Sequence, residues 1–122
     1  MLNLINSLCK NNNLNNKQDF ETFLAANKSN SNLTETIKSL INYKHPQTGD
    51  TVLNYAARFG NANLIKQIYE NYVGFGPNHF LNSCNNDGKN GLHEACQNTN
   101  FECAVYLIEI GICINKLRKG DW

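Results

Sequence analysis

Residues 49–60 read Gly49-Asp50-Thr51-Val52-Leu53-Asn54-Tyr55-Ala56-Ala57-Arg58-Phe59-Gly60. The opening glycine suits a tight turn with positive φ. Thr51 can cap a following helix. That helix buries Leu53, Ala56 and Ala57, and two adjacent small side chains let neighbouring helices approach closely. Gly60 fits the left-handed position that ends a short helix. The same order recurs, degraded, in Gly88-Lys89-Asn90-Gly91-Leu92-His93-Glu94-Ala95-Cys96-Gln97-Asn98-Thr99, and Asp121-Trp122 begins it again. A turn and short helix repeated along a chain predict a stacked all-α array rather than one closed core.

Each copy is followed by a second apolar segment. Residues 61–72 place Leu64, Ile65, Ile68, Tyr69 and Tyr72 on one helical face. The second copy's first helix is expected to bury Leu92, Ala95 and Cys96. Its second helix carries Cys103, Ala104, Leu107 and Ile108 and ends at Gly111. The turns are spaced 39 residues apart from Gly49 to Gly88 and 33 from Gly88 to Asp121. A 33-residue unit with an insertion in the loop at 73–85 accounts for both, since stacked helices cannot absorb extra residues.

Upstream, the patterning predicts a short amphipathic helix over residues 1–10 and an asparagine-rich connection at 11–16. Further helices are expected over 17–27, burying Phe20, Phe23 and Leu24, and over 34–43, capped by Thr34 and burying Ile37, Leu40 and Ile41. Pro46 closes the last of these. The chain therefore divides into a divergent N-terminal helical cap or degenerate repeat (1–46), a repeat with an extended loop (47–84), a second repeat (85–115) and the start of a truncated further unit (116–122). That division leaves the second repeat's outer face uncovered. Self-association through this uncapped C-terminal face, or its cover by a partner, is the expectation.

Composition narrows the function classes. A net charge of +1 gives no electrostatic footprint for nucleic acid or an anionic membrane. No window approaches the ~18 apolar residues of a membrane span. Five cysteines without a CxxC pair or secretory segment read as reduced thiols, which places the chain in the cytoplasm or nucleus. The 23 asparagines are interleaved with helical patterns, so they read as compositional bias rather than an aggregation tract.

These residues resemble the ankyrin repeat, whose pattern is a glycine turn, then Thr-Pro-Leu-His-x-Ala-Ala-x-x-Gly, then a second apolar helix. The first copy keeps Gly49, Thr51, Leu53, Ala56, Ala57 and Gly60, with Val52 for proline and Asn54 for histidine. The second keeps Gly88, Leu92, His93, Ala95, Gly111 and Asn115, with Asn90, Gly91, Cys96 and Thr99 as departures. Each copy retains one member of the family's threonine–histidine pair and puts asparagine at the other. Asparagine both donates and accepts, so the local bond is expected to survive. A left-handed backbone at Thr99 would cost about 1 kcal/mol.

The resemblance implies an ankyrin-type solenoid with a non-catalytic role, binding a protein partner through its concave face. The face it implies comprises Tyr55, Arg58 and Phe59, then Asn86, Asp87 and Lys89, then Glu94, Gln97 and Asn98, and finally Arg118 and Lys119. A closer likeness within the family implies, as an alternative, an adaptor of an alanyl-type aminoacyl-tRNA synthetase. Chemistry at this scaffold has little to stand on. His93 and Cys96 are i, i+3 on one helix but occupy structural positions of the pattern. Cys84, His93, Cys96 and Cys103 lack the paired short spacings of a zinc site. No phosphate-binding glycine loop is present, and neither a metal nor a cofactor is expected.

Overall fold

A computed structural model describes residues 1–26, 32–72, 81 and 83–111. Among these it contains seven helices and no strand. They are α1 (Leu2–Lys10), α2 (Lys17–Ala26), α3 (Leu33–Ile41), α4 (Val52–Phe59), α5 (Ala62–Asn71), α6 (Gly91–Gln97) and α7 (Phe101–Glu109). The helices stand in two rows. In one row α4 packs between α1 and α6, and in the other α5 packs between α2 and α7. Helices α4 and α5 pair, as do α6 and α7, while α3 lies against α2. Ile5, Leu8, Phe20, Leu24, Ile37, Leu40, Leu53, Ala57, Leu64, Ile65, Ile68, Ala95, Cys103 and Leu107 form one continuous buried core through the stack. The fold is an all-α helical repeat solenoid.

The local chemistry at the helix starts follows the sequence reading closely. Thr51 caps α4 through its hydroxyl, which accepts from the Asn54 N–H, while Asn54 Oδ1 accepts from the Thr51 N–H at 3.0 Å. In α6 the same box forms with asparagine at the other position. Asn90 Oδ1 accepts from the His93 N–H, and His93 Nδ1 accepts from the Asn90 N–H, both at 3.0 Å. Asparagine thus replaces either member of the pair without loss of the reciprocal cap. Gly91 explains a second departure. A Cβ there would meet Leu53 Cγ at 2.7 Å, so any side chain at this position pushes α6 away from α4.

Asparagines also tie the repeats to one another. Asn61 stands at the N-terminus of α5, where its Oδ1 accepts from the Leu64 N–H. Its Nδ2 lies within 3.1 Å of the carbonyls of Leu8, Cys9 and Asn11 at the end of α1. Asn100, at the N-terminus of α7, donates in the same way to the carbonyls of Ala57 and Arg58 at the end of α4. Each second helix therefore begins with an amide that closes the last turn of the preceding repeat's first helix. Tyrosine–carboxylate bonds link the other row, from Tyr72 to Glu21 at 2.9 Å and from Tyr106 to Glu70 at 3.0 Å.

Three expectations change. Helix α3 is capped by Asn32, whose Oδ1 accepts from the Glu35 N–H at 2.8 Å, so Thr34 lies inside the first turn rather than at the cap. Cys96 is exposed, whereas its counterpart Ala57 is buried on α4, which is packed between α1 and α6. Ile108 faces outward, since α7 turns Cys103, Ala104 and Leu107 toward the core. Most of the inserted loop at 73–85 lies outside the described residues.

Thr99 does adopt a left-handed backbone, at φ 55°, where the first copy has Gly60. Thr99→Gly is therefore expected to raise the unfolding free energy by about 1 kcal/mol, measured by urea titration. Asn61→Ala strips a donor from three carbonyls and is expected to cost about 2 kcal/mol. Asn13→Ala, at an exposed site, is the control and should change the same titration by less than about 0.5 kcal/mol.

Candidate functional site

The site begins at two turns that lie side by side. In the first, the His45 N–H donates to the Asp50 carbonyl, and His45 Nδ1 accepts from the N–H groups of Gln47 and Thr48. In the second, the Asn85 N–H donates to the Lys89 carbonyl, and Asn85 Oδ1 accepts from the N–H groups of Asp87 and Lys89. An imidazole nitrogen in one turn thus does the work of an amide oxygen in the other. The turns are joined by the Asn86 N–H to the Thr48 carbonyl at 2.9 Å and by Asn86 Nδ2 to the Gln47 carbonyl at 3.0 Å.

Behind the turns sits an ionic cluster that spans both repeats. Arg58 on α4 reaches Glu94 Oε2 on α6 at 2.6 Å and Asp50 Oδ1 at 3.2 Å. Both acids are buried, Asp50 to 6% and Glu94 to 3% exposure. Asn54 Nδ2 adds bonds to Glu94 Oε2 and to the Lys89 carbonyl, and Asn85 Nδ2 donates to Asp50 Oδ1. The guanidinium also lies 5.4 Å from the centre of the Tyr55 ring.

Burial works to raise the Asp50 pKa, but hydrogen bonds from Asn85, Arg58 and Thr48 outweigh it and hold the carboxyl below its ordinary range. Burial, and then the Asp50 charge, push the Tyr55 phenol up.

The cluster forms the floor of a cavity of about 300 Å³ lined by Thr48, Asp50, Arg58, Asn85, Asp87, Lys89, Glu94, Gln97 and Asn98. Six of the residues predicted for the binding face meet here: Arg58, Asp87, Lys89, Glu94, Gln97 and Asn98. Asn86 stands at the neighbouring turn and Tyr55 beside Arg58. Phe59, at 47% exposure, is not part of the lining. Arg118 and Lys119 lie outside the described residues.

One assignment is corrected. Glu94 does not point outward, because Arg58 and Asn54 draw its carboxylate into the seam between repeats. The sequence reading missed Asp50 and Asn85. Asp50 lies within the stretch that decides the fold, but its partners are eight and 35 residues away, and no periodicity signals such a pair.

The two buried thiols are held in their neutral form. Burial pushes Cys9 up to about 12 and Cys103 up to about 11. His93 Nδ1 is taken up by the cap of α6. Among the described residues no group of three or more His, Cys, Asp or Glu is placed to hold a metal ion. Among the same residues no helix is long and apolar enough to cross a membrane.

A family model described as ankyrin repeats (3 copies) matches residues 22–118. The chain belongs to the ankyrin repeat family. Ankyrin repeats are in general protein–protein interaction modules, so the partners to be sought are proteins. No solved structure matches the chain.

Within the ankyrin stack the ionic cluster has a pH signature. Because the folded-state pKa of Asp50 is depressed, its contribution is fully present above the ordinary value of 3.8 and is lost as pH falls through the lower folded value. Thermal unfolding followed by circular dichroism should show the midpoint falling on acidification below pH 3.8. Asp50→Asn should lower stability at neutral pH and flatten that acid limb.

Proposed function

We propose that the chain is a non-catalytic interaction module, acting in the cytoplasm or nucleus, that holds a protein partner in the groove between its turn tips and first helices. The observation that carries this reading is the cavity over the Asp50–Arg58–Glu94 cluster. Its floor is fixed by two buried carboxylates paired with the half-buried Arg58, while Asp87, Gln97 and Asn98 at its rim are exposed. A rigid floor with a solvated polar rim lets a partner bind with little ordering cost. Family membership supports the protein-binding role, and the lining supports the position.

The choice of variants follows from the energetics. Arg58→Ala would leave two buried carboxylates without their cation, at a cost of about 3 kcal/mol, so lost binding would report lost folding. Asp87→Lys and Gln97→Arg alter the rim alone. Affinity capture from cell extract is expected to lose its specific partner when both rim substitutions are present, with the thermal midpoint unchanged. Capture of the same proteins by wild type and this double variant would overturn the groove assignment. An alanyl-tRNA synthetase among the proteins lost would select the narrower adaptor reading.

A further inference from the structure

Two histidines in this stack serve as hydrogen-bond acceptors for the backbone. His45 Nδ1 accepts from the N–H groups of Gln47 and Thr48 at 3.0 and 3.3 Å, and His93 Nδ1 accepts from the Asn90 N–H at 3.0 Å. In each case the sister copy does the same work with an amide oxygen, from Asn85 in the second turn and from Asn54 at the start of α4. An amide oxygen accepts at any pH. An imidazole nitrogen accepts only while its lone pair is free, so these bonds require the neutral ring with its proton on Nε2. Protonation places a hydrogen on Nδ1 and turns the acceptor into a donor that faces other donors.

His45 is the one placed to transmit that change. Gln47 and Thr48 are each held from two sides. Their N–H groups donate to His45, while their carbonyls accept from Asn86, the Gln47 carbonyl from Nδ2 at 3.0 Å and the Thr48 carbonyl from the N–H at 2.9 Å. The joint between the two turns therefore runs through the same two peptides that His45 fastens. Thr48 also lines the groove, and its hydroxyl donates to Asp50 Oδ2 at 3.0 Å.

The charged and titratable groups around this turn are engaged elsewhere. On its own segment Tyr43 and Lys44 precede the ring, with Lys44 Nζ donating to the Cys84 carbonyl, and Asp50 is bonded to Arg58, Asn85 and Thr48. In the second turn Lys89 Nζ bonds to Gln97, and Asp87 stands exposed at the tip. On α4 Arg58 bonds to Glu94 and lies over the Tyr55 ring. Asp50, the carboxylate of this turn, is already matched by a guanidinium and offers an imidazolium little compensation for two lost bonds.

We propose that His45 is a pH-sensitive clasp. The neutral ring holds the Gln47 and Thr48 peptides against Asn86, and the protonated ring releases them and loosens the joint between the turns. Its contribution is complete at neutral pH and is lost as pH falls through the histidine range at about 6.5, well above the acid limb of Asp50. As a regulator of the groove the clasp rests on the reading under Proposed function, whereas its chemistry is a property of the turn alone.

Nuclear magnetic resonance on the full chain tests this from about pH 7.5 down to about 5, which brackets histidine titration. The Gln47 and Thr48 amide signals are expected to move in step with the His45 ring signals. Protection of the Asn86 amide against exchange, corrected for the intrinsic effect of pH, should fall roughly tenfold. His45→Asn, which installs the kind of acceptor that Asn85 supplies in the second turn, should abolish both changes. His93→Asn, which copies Asn54, should leave both in place. Gln47 and Thr48 signals that stay fixed while His45 titrates would overturn the proposal. So would Asn86 protection that does not respond to pH, or a response that persists in His45→Asn. The wild-type titration decides the matter even where a variant fails to fold. A turn that ignores pH sinks the clasp and leaves the groove standing, whereas capture that survives the rim substitutions sinks the groove and leaves the clasp.

Discussion

Short helices set the problem that the rest of this structure answers. An α-helix leaves its first four N–H and last four C=O groups without intrahelical partners. Helices of seven to ten residues are therefore mostly ends. Packing them side by side buries those ends, and a buried unpaired backbone group costs as much as a lost hydrogen bond. Side chains must supply the missing partners, and a side chain that both donates and accepts can serve two helices at once. Asn61 does so by capping α5 with its oxygen and closing α1 with its nitrogen. Asn54 does so by capping α4 while bonding to the Lys89 carbonyl of the next repeat. Part of the chain's asparagine content is thus structural, and compositional bias does not explain those positions.

The repeats are fastened at two places with different physics. Amides and carbonyls hold the ends of the first helices, where the bonds are neutral and insensitive to pH. Arg58, from the last turn of α4, ties the turn residue Asp50 to Glu94 in the first turn of α6, where the bonds are ionic and partly buried. A buried ion pair contributes little net stability over an apolar replacement, but it penalises any arrangement that separates the charges. The cluster therefore fixes the register of α4 against α6, and with it the spacing of the two turn tips. The groove inherits its shape from that register.

The fold was legible in the sequence because its signals are local. Thr51, Gly60 and the paired alanines each act within a single turn of helix, and the structure places them as the pattern predicts. Even the departures were readable, since the asparagine exchanges and the strain at Thr99 are questions about neighbouring residues. The candidate site was legible only in outline. Arg58 and Glu94 are 36 residues apart, and each looks like an ordinary outward charge on its own helix. That they neutralise each other depends on the stacking distance between repeats, which no window of sequence contains. The same limit hid the exposure of Cys96 and Ile108, whose helical phase is apolar but which the stack leaves uncovered.

The register that joins the repeats also separates the two surfaces. Residues that point between neighbouring first helices are spent on holding the stack, as Asn54 and Glu94 are. The rim residues Asp87, Gln97 and Asn98 and the solvent side of the second helices stay exposed. Those regions lie on opposite rows of the solenoid, with α4 and α6 in one and α5 and α7 in the other. The groove presents polar groups above an ionic floor, whereas the outward face of α7 presents Phe101, Val105 and Ile108. A change at Glu102 or Val105 touches none of the bonds that hold the turns together, so each surface can vary without disturbing the other or the scaffold between them.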